Sequence, residues 1–169
     1  DINVDGRAVK AVALPHKIGW LYVFDRVTGK PIWPIEERPV PQSDVPGEKT
    51  SSTQPHPTKP PAYSRQFLKV PDDLIDFTPA LRTQALQVVE SFKMGPMFNP
   101  PALSKIGGPL AALTLGTTGG GTNWPGAGYD PETHVVYAQA NNSQIVPIGL
   151  IDPPEGFSDI KYVLGTAGQ

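Results

Sequence analysis

The sequence contains no cysteine, and this absence excludes several kinds of chemistry within these residues. Disulfide bonds, thiolate nucleophiles and zinc sites with cysteine ligands all require that side chain. Apolar runs are also short, and none approaches the ~18 residues that a membrane-spanning helix needs. Basic charge is scarce, because 14 Lys and Arg stand against 16 Asp and Glu for a net charge of -2. Such a balance provides no cationic surface for a phosphate backbone, so we expect no nucleic-acid partner.

Proline and glycine, by contrast, are abundant, with 21 and 17 copies among 169 residues. This composition is typical of loop-rich chains, yet 38% of the residues are hydrophobic, which allows a packed core. The first residue is Asp rather than Met, and residues 1–4 read as the inside of a strand. We therefore expect the sequence to begin within a domain of a longer polypeptide.

The N-terminal part predicts short antiparallel strands. Asp5-Gly6 separates two β-prone runs within residues 2–14 and favours a type I′ hairpin turn, which needs positive φ at both central residues. Pro15 ends the second run, and residues 16–19 form a connection. Residues 20–24 predict a near-continuously apolar strand, expected to be buried on both faces.

One turn pattern occurs twice. Asp25 follows a strand, its carboxylate can accept backbone N–H bonds, Thr28 can do the same, and Gly29 supplies the left-handed conformation. Asp130 also follows a strand and has Thr133 at the same spacing. Repetition of this kind is typical of a radial β architecture, although the same turn is a good hairpin turn in any all-β protein.

Proline recurs throughout residues 31–61, where it fixes φ and removes backbone donors. We therefore predict that this part forms no interior strand of a sheet and runs over a surface as a long ordered or extended segment. Residues 78–93 predict one helix, with Thr78 as N-cap, Pro79 at the first position and Gly95-Pro96 beyond its end. Its apolar stripe comprises Leu81, Ala85, Leu86, Val88, Val89 and Phe92.

The C-terminal part predicts one more hairpin. A Gly-rich passage leads to two predicted strands, residues 127–129 and 135–140. From Pro147 onward no period is visible, and we expect irregular structure.

Three stretches together resemble the dehydrogenases that depend on pyrroloquinoline quinone (PQQ). D-R-V-T-G-K-P-I-W, Asp25–Trp33, is similar to their tryptophan-docking repeat. W-P-I-E-E-R-P-V-P-Q-S-D-V-P-G-E, continued by T-Q-P-H-P-T-K-P-P, resembles the long insertion of the membrane-bound glucose dehydrogenase branch. G-G-T-N-W-P-G-A-G-Y-D-P-E-T resembles a later blade, and the likeness covers nearly the whole chain.

The resemblance implies an all-β fold, an eight-bladed propeller of antiparallel four-stranded blades. Residues 1–169 would be a fragment of that single domain, with one helix and a long Pro-rich insertion. Its parts would be blade strands over 1–33, the insertion over 34–77, the helix over 78–93 and a later blade over 116–140. A propeller piece of this size cannot close the ring, so we expect it to pack on remaining blades of the same protein.

Five residues would have structural roles in docking one blade to the next. They are Asp25, Thr28, Gly29, Trp33 and Asp130. His134 stands where the docking repeat usually has Gly, which is a departure from the pattern that bears on the second turn.

The resemblance also implies residues that contact the cofactor. Lys17 matches a cation that reaches the quinone oxygens of PQQ, where a fixed ammonium stabilises the negative charge of the reduced form. Asn123 and Trp124 match an Asn-Trp pair, the amide near the cofactor and the indole in the channel. The alternatives are a surface-loop Lys, an Asn in a turn and a Trp in the core between blades.

Other functional groups would lie outside these residues. The resemblance implies that the catalytic carboxylate of the family lies further upstream of Lys17 than this sequence extends, and that the Ca²⁺ ligands also lie outside these residues. We therefore expect part of a periplasmic dehydrogenase, inactive in isolation, that oxidises a sugar or alcohol and passes electrons to a quinone or cytochrome. The alternative function is a propeller without cofactor that serves as a binding or assembly scaffold.

Overall fold

The computed structural model of the chain describes residues 1–115, 121–123, 126–142 and 145–168. These residues are mainly β-strand and include one α-helix, which confirms the predicted class. The chain divides into two compact units. The first unit comprises Asp1–Pro39, Thr53–Gln66 and Leu115–Gln144, and the second unit comprises Val40–Ser52, Phe67–Thr114 and Ile145–Gln169.

The first unit opens with the predicted hairpin. Strand β1 (Ile2–Val4) pairs antiparallel with β2 (Arg7–Val9). Asp5 and Gly6 both have positive φ, 49° and 81°, as a type I′ turn requires. The prediction of one continuous second strand is wrong, because Lys10 separates β2 from the next strand.

A second ladder follows, formed by β3 (Ala11–Pro15) and β4 (Leu21–Asp25). Pro15 is the last residue of β3, as predicted. Of the predicted residues 20–24, Trp20 and Val23 are buried whereas Leu21, Tyr22 and Phe24 are half-buried, so the strand is less fully buried than expected. In the part of the chain that the structure describes, β4 belongs to a two-stranded sheet, and its side chains are therefore only partly covered.

The Pro-rich part contains a ribbon that the sequence analysis did not predict. Strand β5 (Ile35–Pro39) pairs antiparallel with β6 (Thr53–Pro57). A two-stranded ribbon has no interior strand, so the predicted lack of a sheet interior agrees with the structure.

The spacing of the prolines explains why this ribbon can form. Pro39, Pro55 and Pro57 lie on alternate positions of the ladder. Thr58 N donates to Pro34 O at 3.0 Å, which places ladder hydrogen bonds on the other set of positions. In an antiparallel pair only every second residue exchanges hydrogen bonds, so these prolines remove no bond that the ribbon uses.

The Asp25 turn has the predicted geometry. The Asp25 carboxylate accepts hydrogen bonds from the backbone N–H of Val27 at 2.8 Å and of Thr28 at 3.0 Å. Thr28 Oγ1 accepts from Lys30 N at 3.4 Å, and Gly29 has φ of 73°. The donors of Thr28 and then Val27 hold the pKa of the Asp25 carboxyl below its usual value.

The second turn keeps this geometry without glycine. It joins β10 (Ala127–Asp130) to β11 (Val135–Ala138), which confirms the predicted hairpin. Thr133 Oγ1 donates to the Asp130 carboxylate at 2.6 Å, and this bond is the main cause that lowers the Asp130 pKa. His134 has φ of 57° and thus takes the left-handed conformation that glycine has in the first turn.

The second unit contains the helix α1 (Pro79–Glu90). Thr78 is the N-cap, since its side chain accepts a hydrogen bond from Leu81 N at 3.2 Å. The helix ends earlier than predicted, with Ser91 as C-cap, and Phe92 belongs to strand β7 (Phe92–Lys93) instead of the apolar stripe. At twelve residues, this one helix of the described ranges falls short of what crossing a bilayer requires.

A mixed sheet forms the core of the second unit. Its strands are β7, β8 (Ala102–Leu103), β9 (Ala111–Leu115), β12 (Ile145–Ile151) and β13 (Val163–Leu164), in the order β13-β12-β9-β7 with β8 beside β12. Ala111 and Ala112 of β9 are completely buried. The expectation of irregular structure beyond Pro147 is wrong, because β12 is a central strand of this sheet.

Candidate functional site

The predicted cofactor contact Lys17 lies on a tight turn between β3 and β4. Gly19 N donates to His16 O at 2.9 Å, and His16 N donates to Trp20 O at 2.7 Å. Lys17 and Ile18 therefore occupy the central positions, and Gly19 has φ of 78°. Lys17 is exposed at this turn, which leaves its ammonium able to meet a ligand.

The carbonyl groups of this turn are bound by Tyr63, at the end of the Pro-rich part. Tyr63 N donates to Gly19 O at 2.9 Å. Its hydroxyl donates to His16 O at 3.1 Å, so a single residue holds the first and last carbonyl oxygens of the turn.

The two central carbonyl groups are bound from two other positions. Gln66 Nε2 donates to Ile18 O at 2.9 Å and to Ser64 O at 3.1 Å. Gly121 N donates to Lys17 O at 2.9 Å. Every carbonyl oxygen from residue 16 to residue 19 is thus hydrogen-bonded, and the backbone that carries Lys17 is fixed in place.

The segment with Asn123 is fixed to the same turn. Gly121 makes the bond to Lys17, and Gly121 O accepts from Asn141 N at 2.8 Å. Thr122 is 2% exposed, and its Oγ1 lies 2.7 Å from the Tyr63 hydroxyl. Asn123 is exposed next to this buried threonine. The structure therefore places Lys17 and Asn123 on segments joined by hydrogen bonds, while Trp124 lies outside the described residues.

Aromatic side chains of Trp20 and of β4 support the turn. Trp20 is 7% exposed, and its ring centroid lies 4.6 Å from that of His56 on the β5–β6 ribbon. The Tyr22 hydroxyl donates to Pro55 O at 3.0 Å, and burial raises the pKa of Tyr22. These contacts hold the ribbon against β4 and limit movement of the turn that follows β3.

Trp33, predicted to dock blades, is half-buried and lines an apolar cavity of about 770 Å³ in the first unit. The cavity walls include Leu21 and Val23 of β4 together with Tyr129 and Val136 of the β10–β11 hairpin. Such a cavity can take a large apolar group. The docking roles of Trp33 and of the two Asp turns stay predictions.

The electrostatics of the site depend on Lys17. Across residues 1–115, 121–123, 126–142 and 145–168, no carboxylate forms an ion pair with its ammonium. The same ranges hold no group of three or more His, Asp or Glu arranged to bind a metal ion. The exposed Lys17 and Asn123 thus present a cation and an amide, which are groups that can bind an anionic ligand.

Sequence reasoning missed Tyr63 and Gln66. Both bind main-chain carbonyl oxygens of the turn. Every residue carries such a carbonyl group, so the sequence of the turn does not mark it as the target of these side chains. The only local signal was an aromatic residue, Tyr63, two positions after the last proline of the run.

Comparison with known proteins identifies the chain's family. A family model described as PQQ, glucose/ethanol/alcohol dehydrogenase, β-propeller domain, matches residues 1–156. The quinate/shikimate dehydrogenase (quinone) of Acinetobacter baylyi is 34% identical over 77% of this chain and 15% of its own length. The glycerol dehydrogenase large subunit of Gluconobacter oxydans is 34% identical over 81% of this chain and 18% of its own.

The quinoprotein glucose dehydrogenase of Gluconobacter oxydans is 34% identical over 98% of this chain and 20% of its own length. The chain thus spans a fifth or less of these three relatives. No solved structure matches it. With almost all of its residues matched and a mainly β structure, the chain belongs to the glucose/ethanol/alcohol dehydrogenase family of PQQ β-propeller domains.

Proposed function

We propose that the chain is part of a PQQ-dependent dehydrogenase that oxidises a hydroxyl group of a sugar or alcohol and passes the electrons to a quinone or cytochrome. The relatives support this reaction class, because their names specify glucose, glycerol and quinate, which are all polyhydroxylated compounds. The substrate of the present protein is accordingly a compound with several hydroxyl groups.

One observation carries the proposal: Gly121 N donates to Lys17 O, which joins the two segments that bear the predicted cofactor contacts. PQQ, when bound, supplies the two-electron acceptor for the alcohol. Lys17 would hold a fixed positive charge near the quinone oxygens and so would favour the reduced form of the cofactor. Asn123 would donate from its amide to a quinone or carboxylate oxygen.

Other parts of the proposal concern Trp124, Ca²⁺ and the location of the protein. We place Trp124 beside the cofactor in the channel. We assign Ca²⁺ as the second cofactor and the periplasm as the compartment, and we assign the general base and the Ca²⁺ ligands to other parts of the full-length protein. The 169 residues alone are expected to reduce no dye. Dye reduction by the isolated segment, or recovery of the full-length protein in the cytoplasmic fraction, would contradict these assignments.

The experiment uses the full-length protein that carries this chain, loaded with PQQ and Ca²⁺. Turnover is measured with a dye acceptor on a panel of sugars, polyols and simple alcohols. We expect oxidation of at least one polyol, and we expect Lys17→Ala to lower kcat by roughly 10²-fold through loss of the charge on the quinone oxygens. Lys49→Ala, at an exposed position of the second unit, is the matched control and should leave kcat unchanged.

Two results would contradict the proposal in different ways. Equal turnover of the Lys17→Ala variant and the wild type would remove Lys17 from the site. No turnover on any compound of the panel, together with no binding of PQQ, would favour the scaffold alternative.

A further inference from the structure

The Pro-rich part ends in a segment, Tyr63–Gln66, whose hydrogen bonds converge on the turn that carries Lys17. Tyr63 binds the carbonyl oxygens of His16 and Gly19. Gln66 binds the carbonyl oxygen of Ile18 at 2.9 Å. We propose that Tyr63 and Gln66 are positioning residues for Lys17 and that they set where its ammonium meets the bound cofactor; this inference rests on the proposed function.

Steric fit supports the role of this segment. A Cβ atom added to Gly19 would lie 1.7 Å from Ser64 Oγ, and one added to Gly121 would lie 3.5 Å from the same atom. Ser64 therefore packs tightly against Gly19 of the turn and lies within ordinary contact distance of Gly121 in the segment that leads to Asn123. A shift of the turn toward Ser64 would bring the two into collision.

The Gln66 side chain shows how strictly the turn is held. Its Nε2 donates to two carbonyl oxygens, of Ile18 and Ser64. Its Oε1 is buried and accepts no hydrogen bond among the residues that the structure describes. The opposite orientation of the amide would set that oxygen against both carbonyl groups, so the carbonyl groups fix which way the side chain points. The fold thus leaves Gln66 Oε1 without a hydrogen bond and keeps Gln66 Nε2 on the Ile18 carbonyl oxygen of the turn.

The Tyr63 hydroxyl extends this control to the second cofactor contact. It lies 2.7 Å from Thr122 Oγ1, whose own hydrogen goes to Gln139 O at 2.5 Å, so the single hydrogen of the Tyr63 hydroxyl is shared between His16 O and Thr122 Oγ1. One hydroxyl group thereby joins the Lys17 turn to the residue before Asn123. Removing it releases both segments at the same time.

A lysine on an exposed turn needs such support because its side chain has four rotatable bonds and a single charged tip. A fixed backbone leaves only side-chain freedom to be lost when the ammonium contacts the cofactor. A displacement of about 1 Å at a reacting group can cost about 10²-fold in rate. Weakening the segment should therefore lower turnover through Lys17 even where folding is intact.

The test is a set of double-mutant cycles in the full-length protein. Tyr63→Phe removes only the hydroxyl. Gln66→Met keeps the length of the side chain and removes both the donor and the unsatisfied acceptor, so that loss of the orphaned oxygen partly offsets loss of the bonds to Ile18 O and Ser64 O. Each is made alone and together with Lys17→Ala. The measurements are kcat, the PQQ dissociation constant from titration of the apoprotein followed by fluorescence quenching, and Tm.

We expect each single variant to lower kcat or weaken PQQ binding by about tenfold with little change in Tm, and to add no further loss to Lys17→Ala. The controls Tyr137→Phe and Gln87→Met, at exposed positions, should change neither kcat nor PQQ affinity. If Tyr63→Phe does not fold, Gln66→Met still decides the question.

The outcomes separate the inference from the function on which it rests. If Lys17→Ala is harmful but both segment variants match the wild type, or if their losses multiply with that of Lys17→Ala, positioning through Lys17 is overturned while the proposed function stands. If Lys17→Ala has no effect on kcat or PQQ affinity, the role of Lys17 and this inference fail together.

Discussion

The carbonyl oxygen of Lys17 accepts a hydrogen bond from the backbone N–H of Gly121 at 2.9 Å. The two residues are distant in sequence, and the bond joins the turn after β3 to the segment that leads to Asn123. Because both partners are main-chain groups, the bond depends on backbone position rather than on side-chain identity. Its geometry therefore relies on the close approach of the two segments, and on the turn side Gly19 packs directly against Ser64.

The first prediction concerns this close approach at Gly19. Gly19 and Gly29 have nearly equal φ, 78° and 73°, but a Cβ at Gly19 would meet Ser64 whereas one at Gly29 meets nothing within 4 Å. Gly29→Ala should cost about 1 kcal/mol for the left-handed backbone alone. Gly19→Ala should cost about 1–3 kcal/mol more, because Ser64 must move.

Both glycine variants are made in the full-length protein and compared by Tm and by denaturant midpoint. Gly19→Ala should also lower kcat, since displaced Ser64 disturbs the Lys17 turn. Equal losses of stability in the two variants would show that Ser64 moves aside freely and would contradict the tight packing at the turn.

The second prediction follows from the lowered pKa of Asp25. Hydrogen bonds from the N–H groups of Thr28 and Val27 favour the carboxylate in the folded state. A lowered folded pKa stabilises the fold above the ordinary value of 3.8, and this contribution is lost as pH falls through the lower folded pKa. The Asp25→Asn variant keeps an oxygen acceptor but lacks the charge.

Tm measured from pH 7 to pH 2.5 checks this sign. The wild type should exceed Asp25→Asn in Tm at pH 7, and the gap should close as the pH falls below about 4. Asp72→Asn, at an exposed carboxylate, controls for the change in net charge. A gap that stays constant down to pH 2.5 would mean that ionisation of Asp25 does not stabilise the turn.

The turns show which parts of the fold could be predicted from sequence. Asp5-Gly6 and the Asp25 turn were predicted because every group that forms them lies within a few residues. Strands β12 and β9 were not predicted, because their pairing joins distant segments and because apolar and polar residues do not alternate along either strand. The β5–β6 ribbon was missed for another reason. Its prolines are compatible with a ladder only where they occupy the positions that exchange no hydrogen bonds, and the sequence does not reveal that pairing.

The candidate site divides in the same way. Lys17 and Asn123 came from a resemblance to a family, and the structure places their segments in contact through Gly121. Tyr63 and Gln66 could not be predicted, because they bind carbonyl groups of a turn far away in sequence. Side-chain chemistry can be read from a sequence, whereas long-range hydrogen bonds to the main chain are visible only in the folded structure.

The third prediction tests the start of the helix. Thr78 accepts a hydrogen bond from Leu81 N at 3.2 Å as N-cap of α1. Thr78→Ala should destabilise the protein by about 1 kcal/mol, because a backbone donor of the first turn loses its partner. Thr83→Ala is the control: Thr83 Oγ1 donates to Pro79 O within the helix, where alanine is the better helix former. Equal Tm values for the two variants would contradict the capping role.

The last prediction concerns His134, which has φ of 57° where the first turn has Gly29. Tyr129 Oη lies 3.0 Å from His134 Nδ1, and both His134→Ala and His134→Gly remove that contact. Only the alanine variant keeps the cost of a left-handed backbone, so His134→Gly should be more stable by about 1 kcal/mol.

Denaturant midpoints of the two His134 variants, each measured in the full-length protein, give this difference directly. It should match the loss caused by Gly29→Ala, because both comparisons exchange Gly and Ala at the same position of the turn. A glycine variant that is equal to or less stable than the alanine variant would show that residue 134 does not need the left-handed conformation, and the equivalence of the Asp25 and Asp130 turns would be wrong.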